Sequence, residues 1–423
     1  MDPSAGHIPQ NQSNCHTPLR VLAVYPHYWP DTTPYAPILK SILERMAARG
    51  LCVTAFTGHP SYNALPPLPT CQWERCEGVQ IRRIRLFQCK RTSTIIRLVN
   101  ATYFVTRAIL HGLLNRYDVI LANGNPPVLV GLSLQILGRL TKARFVLHIQ
   151  DIHPEALQAV IKKPAGLLYR IMLAVDVRTC LNAHLIVTLS ADMKRTLESR
   201  GVPGTSVRVI NNCPREDEPS DKSVLPTCLS DQSAVRFLYT GTIGRFQGLD
   251  QILSAFLRIK DIANWRLIFM GDGPLLPSLR AAASDLVGDR IHFIDRSPPS
   301  VALAAMAAAD VGLVSLAPTM VNYAFPSKLI TYLSTGLPAF AICDEESELA
   351  GMIARHKMGY TAAPGDTSAI AGRLADCLSD KSMWSGESRR RIAATTEILF
   401  GVKRMLAEWD AIVDELVACP RQA

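Results

Sequence analysis

Short apolar, β-branched runs alternate with amphipathic stretches from residue 18 onward. That rhythm predicts repeated strand and crossover-helix units, the pattern that builds a parallel sheet covered by helices on both faces. PLRVLAVY (18–25) reads as a buried strand, the Pro-rich loop from Pro26 to Pro37 follows, and PILKSILERMAARG predicts a helix ended by Gly50 at the left-handed cap position. LCVTAFTG (51–58) returns as a strand. Further strands are predicted at 79–87, 118–124, 143–149, 183–189 and 207–211, with helical periods near 95–115, 128–140, 165–181 and 191–200. Together these units make one doubly wound domain over residues 18–212.

Residues 213–234 are rich in Pro, Ser, Asp and Glu, the composition of an exposed linker. The alternation then restarts with VRFLYTG (235–241), a helix from Leu249, WRLIFMG (265–271), a helix from Leu275, IHFID (291–295), VALAAMAAA, DVGLVSL (310–316), a helix from Ser327 and PAFAIC (338–343). A second doubly wound domain is expected over 235–398. The tail at 399–418 carries Val402, Leu406, Trp409, Ile412, Val413 and Leu416 at helical spacing, which suits a helix on its own domain or one packed back on the first. The expected fold is α/β, two facing doubly wound, Rossmann-like domains.

A chain of 423 residues has room for two such cores, and 48% apolar with 19% charged residues excludes a largely disordered one. No uninterrupted apolar window of about 18 residues occurs. The polar start shows no secretory signal, so a cytoplasmic protein is expected. Eleven cysteines without a Cys-x-x-Cys fit reduced thiols in cores rather than disulfides or a zinc site.

Charge changes this picture more than composition does. Residues 1–212 hold 24 Lys and Arg against 11 Asp and Glu, whereas 213–423 hold 21 against 25. Residues 78–117 contain eight cations, among them Arg82, Arg83, Arg85, Lys90, Arg91 and Arg97, with no carboxylate. Interleaved with Leu86, Phe87, Ile95, Leu98 and Tyr103, they suit an anionic membrane surface, where each cation contributes about 1 kcal/mol. The same stretch also fits a solvated basic face over an apolar core side. No nucleic-acid module matches.

In doubly wound sheets, ligands bind beyond the carboxyl ends of strands. YTGTIGRFQGLDQIL places Gly241, Thr242, Gly244 and Arg245 between a strand and a helix, where backbone amides and a cation meet an anion. MGDGP brings Gly271 and Gly273 to the next loop, a pattern that also fits a plain turn before a proline-started helix. In FPSKL, Pro326 and Ser327 form a helix start followed by Lys328 and Leu329. A lysine at the positive end of a helix is unfavourable unless an anion faces it. Two such loops at one cleft describe a diphosphate site. The absence of any Asp-x-Asp fits charge neutralised by protein cations, so neither metal nor organic cofactor is expected.

YTGTIGRFQGLD, IFMGDGP, AAADVGLVSL, FPSKLITYLSTGLP and LHIQDIHPE together resemble the GT-B glycosyltransferases of family 4 (group 1), in particular the colanic-acid and O-antigen branch. The resemblance covers about residues 18–415. It implies a nucleotide-sugar donor held mainly by the second domain, UDP-linked ahead of GDP-linked, and an acceptor held by the first. It also implies retention of anomeric configuration. Three departures stand out: Tyr323 and Thr331 occupy the places of a glutamate pair common in the family, Gln247 replaces a lysine of the phosphate loop, and PHYWPDTTPYAP lacks the usual glycine pair.

LHIQDIHPEAL ends a strand of the first domain, so Asp151, His153 and Glu155 are the candidates to orient and deprotonate an acceptor hydroxyl, Asp151 first. His148 fits either that site or a satisfied place in the core. The His-x-x-Asp-x-His spacing lacks a further metal partner. The expected enzyme transfers a sugar to a lipid-linked saccharide at the inner membrane face. A catalytically silent scaffold is the alternative kept by the missing glutamates, and a dinucleotide oxidoreductase would need glycines after the first strand that PHYWPDTT does not supply.

Overall fold

The structure is a computed structural model that describes residues 18–31, 33–60, 71–87, 94–124, 128–161, 166–214, 225–244, 247–262 and 264–418. Lys90, Arg91 and Arg245 therefore lie outside the described residues.

The first half supplies β1 (Arg20–Val24), α1 (Ala36–Ala48), β2 (Cys52–Gly58), β3 (Trp73–Cys76), β4 (Val79–Ile84), α2 (Thr94–Leu114), β5 (Val119–Asn123), α3 (Leu129–Thr141), β6 (Arg144–His148), α4 (Glu155–Ile161), α5 (Leu167–Leu181), β7 (Leu185–Thr188), α6 (Ala191–Ser199) and β8 (Val207–Val209). Its strands form one sheet in the order β3-β4-β2-β1-β5-β6-β7-β8, parallel throughout except for the β3–β4 pair. Alternation along β1 sets the two layers: Val21 and Ala23 join a core with α1, while Leu22 and Val24 join one with α2, α3 and α6.

After the short α7 (Thr227–Ser230), the second half supplies β9 (Val235–Thr240), α8 (Leu249–Arg258), β10 (Trp265–Met270), α9 (Leu276–Ala283), β11 (Ile291–Ile294), α10 (Pro299–Ala308), β12 (Val311–Ser315), α11 (Ser327–Ser334), β13 (Ala339–Ile342), α12 (Glu348–Arg355), β14 (Gly359–Ala362), α13 (Thr367–Ser379), α14 (Gly386–Phe400) and α15 (Val402–Ala418). These strands form an all-parallel sheet, β11-β10-β9-β12-β13-β14. Both sheets change direction beside their first strand, the switch point beyond which a doubly wound fold opens its ligand crevice.

The carboxy-terminal periodicity resolves into two helices that serve different domains. α14 packs on α11, the chain turns extended at Gly401, and α15 lies along α1 on the first sheet. Met405, Trp409, Ile412, Val413 and Leu416 of α15 enter the α1 core. Arg45 holds Asp410 at 2.7 Å, Arg49 pairs with Asp414, and the Arg144 guanidinium donates to the Leu416 carbonyl. Trp409 also meets the buried His148 ring edge-on, with centroids 5.3 Å apart. Because that tryptophan is enclosed, Trp409→Ala is expected to cost about 3–5 kcal/mol. Chemical denaturation checks it: an unchanged midpoint would mean that α15 is no part of the first core.

Candidate active site

The donor side is built where β9 and β10 end. Gly241 leaves β9 with φ +114°, a backbone region that side chains rarely adopt. The loops after the two strands are laced together: Gly241 N donates to the Met270 carbonyl at 2.9 Å, Ile243 N to Asp272 at 2.9 Å, and Leu275 N to Ile243 at 3.1 Å. A Cβ at Gly271 would sit 1.9 Å from the Gly241 carbonyl oxygen, and one at Gly273 2.2 Å from that of Ile243. Gly271 and Gly273 therefore let one loop press on the other.

Lys328 reaches into this corner from the first turn of α11, whose N-cap is Pro326. Its Nζ lies 3.7 Å from the centre of the Tyr239 ring, and its amine end passes close to Gly241. Tyr239 donates to the Thr242 carbonyl at 2.7 Å, so the ring is pinned to the same loop. Tyr332, one turn further along α11, accepts from Thr240 N at 2.8 Å and fixes the helix to the strand end. Among the described residues no carboxylate or carbonyl meets the Lys328 amine. Burial alone lowers its pKa to about 7. Leu329 is core, its amide spent on the Pro326 carbonyl at 3.0 Å.

The acceptor side lies beyond β6. His148 proves to be a satisfied core histidine: Nδ1 meets the Tyr35 hydroxyl at 2.6 Å and Nε2 the Gln150 amide at 2.8 Å. Burial pushes its pKa down to about 3, so the ring is neutral, and both its nitrogens are taken up inside the core. Glu155, expected as a catalytic candidate, is instead ion-paired with Arg200, which also holds Asp176 at 2.9 Å and donates to the His153 carbonyl at 3.3 Å. That arginine shapes the loop and occupies the carboxylate, which is the physical reason to set Glu155 aside. His153 keeps an enclosed Nδ1 with no partner among the described residues, and burial, with Arg200 nearby, lowers its pKa to about 4. Asp151 is reached by solvent, yet the protein packed around it raises its pKa. It lines a narrow recess with Gly124, Gly131, Ile149, His153 and Thr179. A solvent-reached carboxylate beside a neutral imidazole can orient a hydroxyl and accept its proton.

The domains meet directly across this site. Asp151 forms an antiparallel bridge with Ala324, Ile152 N donates to the Tyr323 carbonyl at 2.7 Å, and Thr196 Oγ1 to that of Asn322 at 2.9 Å. The strap 322–326 thus runs from the acceptor loop straight into the helix that carries Lys328. Two helix N-termini face one another nearby, each already capped by its own serine, Ser190 for α6 and Ser347 for α12. Across the seam they exchange carboxylates: Glu348 accepts from Ala191 N, and the buried Asp192 accepts from Glu348 N at 2.9 Å. Two positive helix ends are held together by negative charge between them. Neither this exchange nor Arg200 had a local signal in the sequence.

The expected membrane cations divide. Arg83 is fully buried, donating to Glu74 at 2.6 Å and to the Trp29 carbonyl at 2.7 Å, which corrects its assignment to a lipid contact. Arg82 lies over the Trp73 ring at 4.7 Å, whereas Arg85 and Arg97 are exposed. No helix among the described residues is long and apolar enough to cross a membrane.

Residues 35–213 match the glycosyl transferase 4-like domain and residues 234–380 the glycosyl transferases group 1. The probable glycosyltransferase WbjE of Pseudomonas aeruginosa is 28% identical over 281 residues, covering 65% of this chain and 70% of the relative. A putative colanic acid biosynthesis glycosyl transferase, WcaI of Escherichia coli, is 24% identical over 350 residues, covering 78% and 85%. Among solved structures, sucrose-phosphate synthase from Thermosynechococcus elongatus superposes with a TM-score of 0.73 at 18% identity, covering 95% of this chain and 99% of that one. HepE of Anabaena, crystallised with UDP-glucose, gives 0.65 at 15% identity, covering 94% and 100%.

Removing one carboxylate from the seam leaves the opposing helix end short of an acceptor. Asp192→Ala is expected to lower stability by about 1–3 kcal/mol and to enlarge the radius of gyration in small-angle scattering as the domains part. Unchanged scattering and stability would deny the pair any part in holding them.

Proposed function

The chain belongs to the glycosyltransferases that join a 4-like domain to a group 1 domain in the GT-B fold, and from that premise we propose that it moves a sugar from a nucleotide diphosphate donor to a lipid-linked saccharide. The observation that carries the donor half is the Lys328 amine, enclosed at the N-terminus of α11 beside Gly241 without a counter-charge among the described residues. An ammonium held out of water with no anion is costly, and a diphosphate that supplies one removes the cost. Arg245, which follows Gly244 in the sequence, is proposed as a second cation, and Thr242, bonded to Tyr239, and Ser327, which opens α11, stand next to Lys328's contacts.

In transfer the leaving diphosphate gains negative charge as the glycosidic bond breaks, and a fixed cation at that point lowers the barrier more than it strengthens ground-state binding. Asp151, with the neutral His153 beside it, orients the acceptor hydroxyl and takes its proton. Lys328 supplies positive charge where a metal would otherwise be asked to, and this supports transfer without one. His148, the outer member of the His-x-x-Asp-x-His run, is turned into the core. Retention of configuration rests on the family resemblance. A uridine donor is favoured by the likeness to HepE, which was crystallised with UDP-glucose. Cell-surface polysaccharide synthesis is favoured by the likeness to WcaI, and with a lipid-linked acceptor the protein is proposed to work at the inner face of the membrane.

Lys328→Ala is expected to fold with an equal or higher melting midpoint, since it deletes a desolvated charge, while turnover of the nucleotide sugar drops by about 10²–10³-fold. Near-wild-type transfer by that variant would contradict the role. A screen of UDP-, GDP- and ADP-sugars by thermal shift identifies the base, because only a bound donor raises the midpoint.

UDP affinity should also carry a pH signature. In the unliganded protein Lys328 titrates at about 7, and a bound diphosphate raises that value. Below it the amine is already charged and affinity is flat with respect to this group. As pH rises above it, binding must take up a proton, so affinity falls by up to about tenfold per pH unit. Calorimetry in buffers of different ionisation enthalpy measures the uptake, and zero uptake at pH 8 would contradict it.

A further inference from the structure

The outer face of the first domain's second layer does not look like an ordinary solvated surface. α2, α3 and α5 lie side by side on one face of the sheet, with Phe104, Val105, Leu134, Leu137 and Cys180 turned inward to its core. Their outward positions carry 12 of the 21 exposed large apolar side chains among the described residues, including Leu98, Leu110, Leu114 (83% exposed), Leu140 (69%), Leu167 (74%) and Leu168 (72%). Among the described residues the second domain's strands, α8–α14 and their loops expose Ile262, Val287 and Ile398. Monomeric surfaces rarely leave so many large apolar groups on one face without a partner.

The charge on this layer has one sign. Arg97, Arg107, Arg139, Arg170 and Arg178 are exposed there. The lone carboxylate in the three helices, Asp176, turns inward to Arg200 at 2.9 Å. A second copy of the chain packed face to face would set arginine against arginine, and a basic partner would be repelled likewise. Apolar groups interspersed with cations and no anions complement the boundary of an anionic bilayer, where leucines enter the acyl region and arginines meet headgroups.

The layer also bears on the acceptor site. Gly131 of α3 and Thr179 of α5 line the recess that holds Asp151 and His153. We propose that the outer face of α2, α3 and α5 is a membrane-docking surface that seats the acceptor recess beside an anionic bilayer. The basic edge around Arg82 and Arg83 is not its centre. This deepens the reading of a lipid-linked acceptor and takes its purpose from it, while the docking itself is measurable without it.

Flotation of the full chain with phosphatidylcholine vesicles, with and without phosphatidylglycerol, tests the proposal. The wild-type protein is expected to float with the anionic vesicles and to be released by salt. The combined variant Leu140→Ser, Leu167→Ser, Leu168→Ser is expected to lose about tenfold or more of its partitioning, and Arg97→Glu with Arg170→Glu to abolish the preference for phosphatidylglycerol. UDP-induced thermal shifts identical to wild type establish that both variants are folded. Lys328→Ala is expected to float normally, which separates a failure of docking from a failure of the transferase reading. Equal partitioning of the serine variant, equal binding to neutral vesicles, or self-association in chromatography that the serine variant abolishes would each overturn the proposal.

Discussion

A lysine amine held out of water with nothing negative against it among the described residues is the constraint from which the rest of this molecule is best understood. The fold works to keep Lys328 there. Its backbone sits at the positive end of α11, its amine lies over the Tyr239 ring, and Tyr332 bonds the helix to the end of β9. Gly312 belongs to the same device, since a Cβ there would come within 2.6 Å of the Tyr332 ring. Each of these contacts stabilises the packed state, and together they hold an arrangement that is electrostatically incomplete until an anion arrives.

The second constraint is mechanical. The strap that delivers the chain into α11 is the same strap that touches the acceptor loop, through Tyr323 and Ala324 on one side and Ile152 and Asp151 on the other. Phe325 packs against the cores of both domains, and Ala156 of α4 is buried with the second core. Displacing the first domain therefore moves the residues immediately before Lys328. The exchange of carboxylates between Asp192 and Glu348 sets the same approach from a different edge. α15, anchored on α1 after leaving α14 at Gly401, ties the domains a third time.

Much of this was legible in the sequence because it is written in local patterns. Buried parallel strands are continuous apolar runs, so β1, β2, β5, β6, β9, β10 and β12 stood out. The Pro326 and Ser327 start likewise marks the first turn that carries Lys328. What was not legible depends on pairs far apart in the chain. β3 is a half-exposed edge strand that exists because it pairs antiparallel to β4, and the four-residue β14 adds only to β13. Arg83 looks like its exposed neighbours in sequence, and only the pleat, which sends alternate side chains to opposite faces, buries it against Glu74. Glu155 shows the same limit, its counter-ion Arg200 being 45 residues away in this numbering. Alternation along single helices also hides the outward apolar positions of α2, α3 and α5, which emerge only when the three helices share one layer.

The central claim is that Lys328 is a desolvated cation awaiting a diphosphate, and direct titration of its Nζ by NMR on selectively labelled lysine, without and with UDP, examines it most closely. The unliganded amine should titrate at about 7 and move well upward on saturation with UDP. An ordinary lysine value near 10.5 that UDP leaves unchanged would contradict the account.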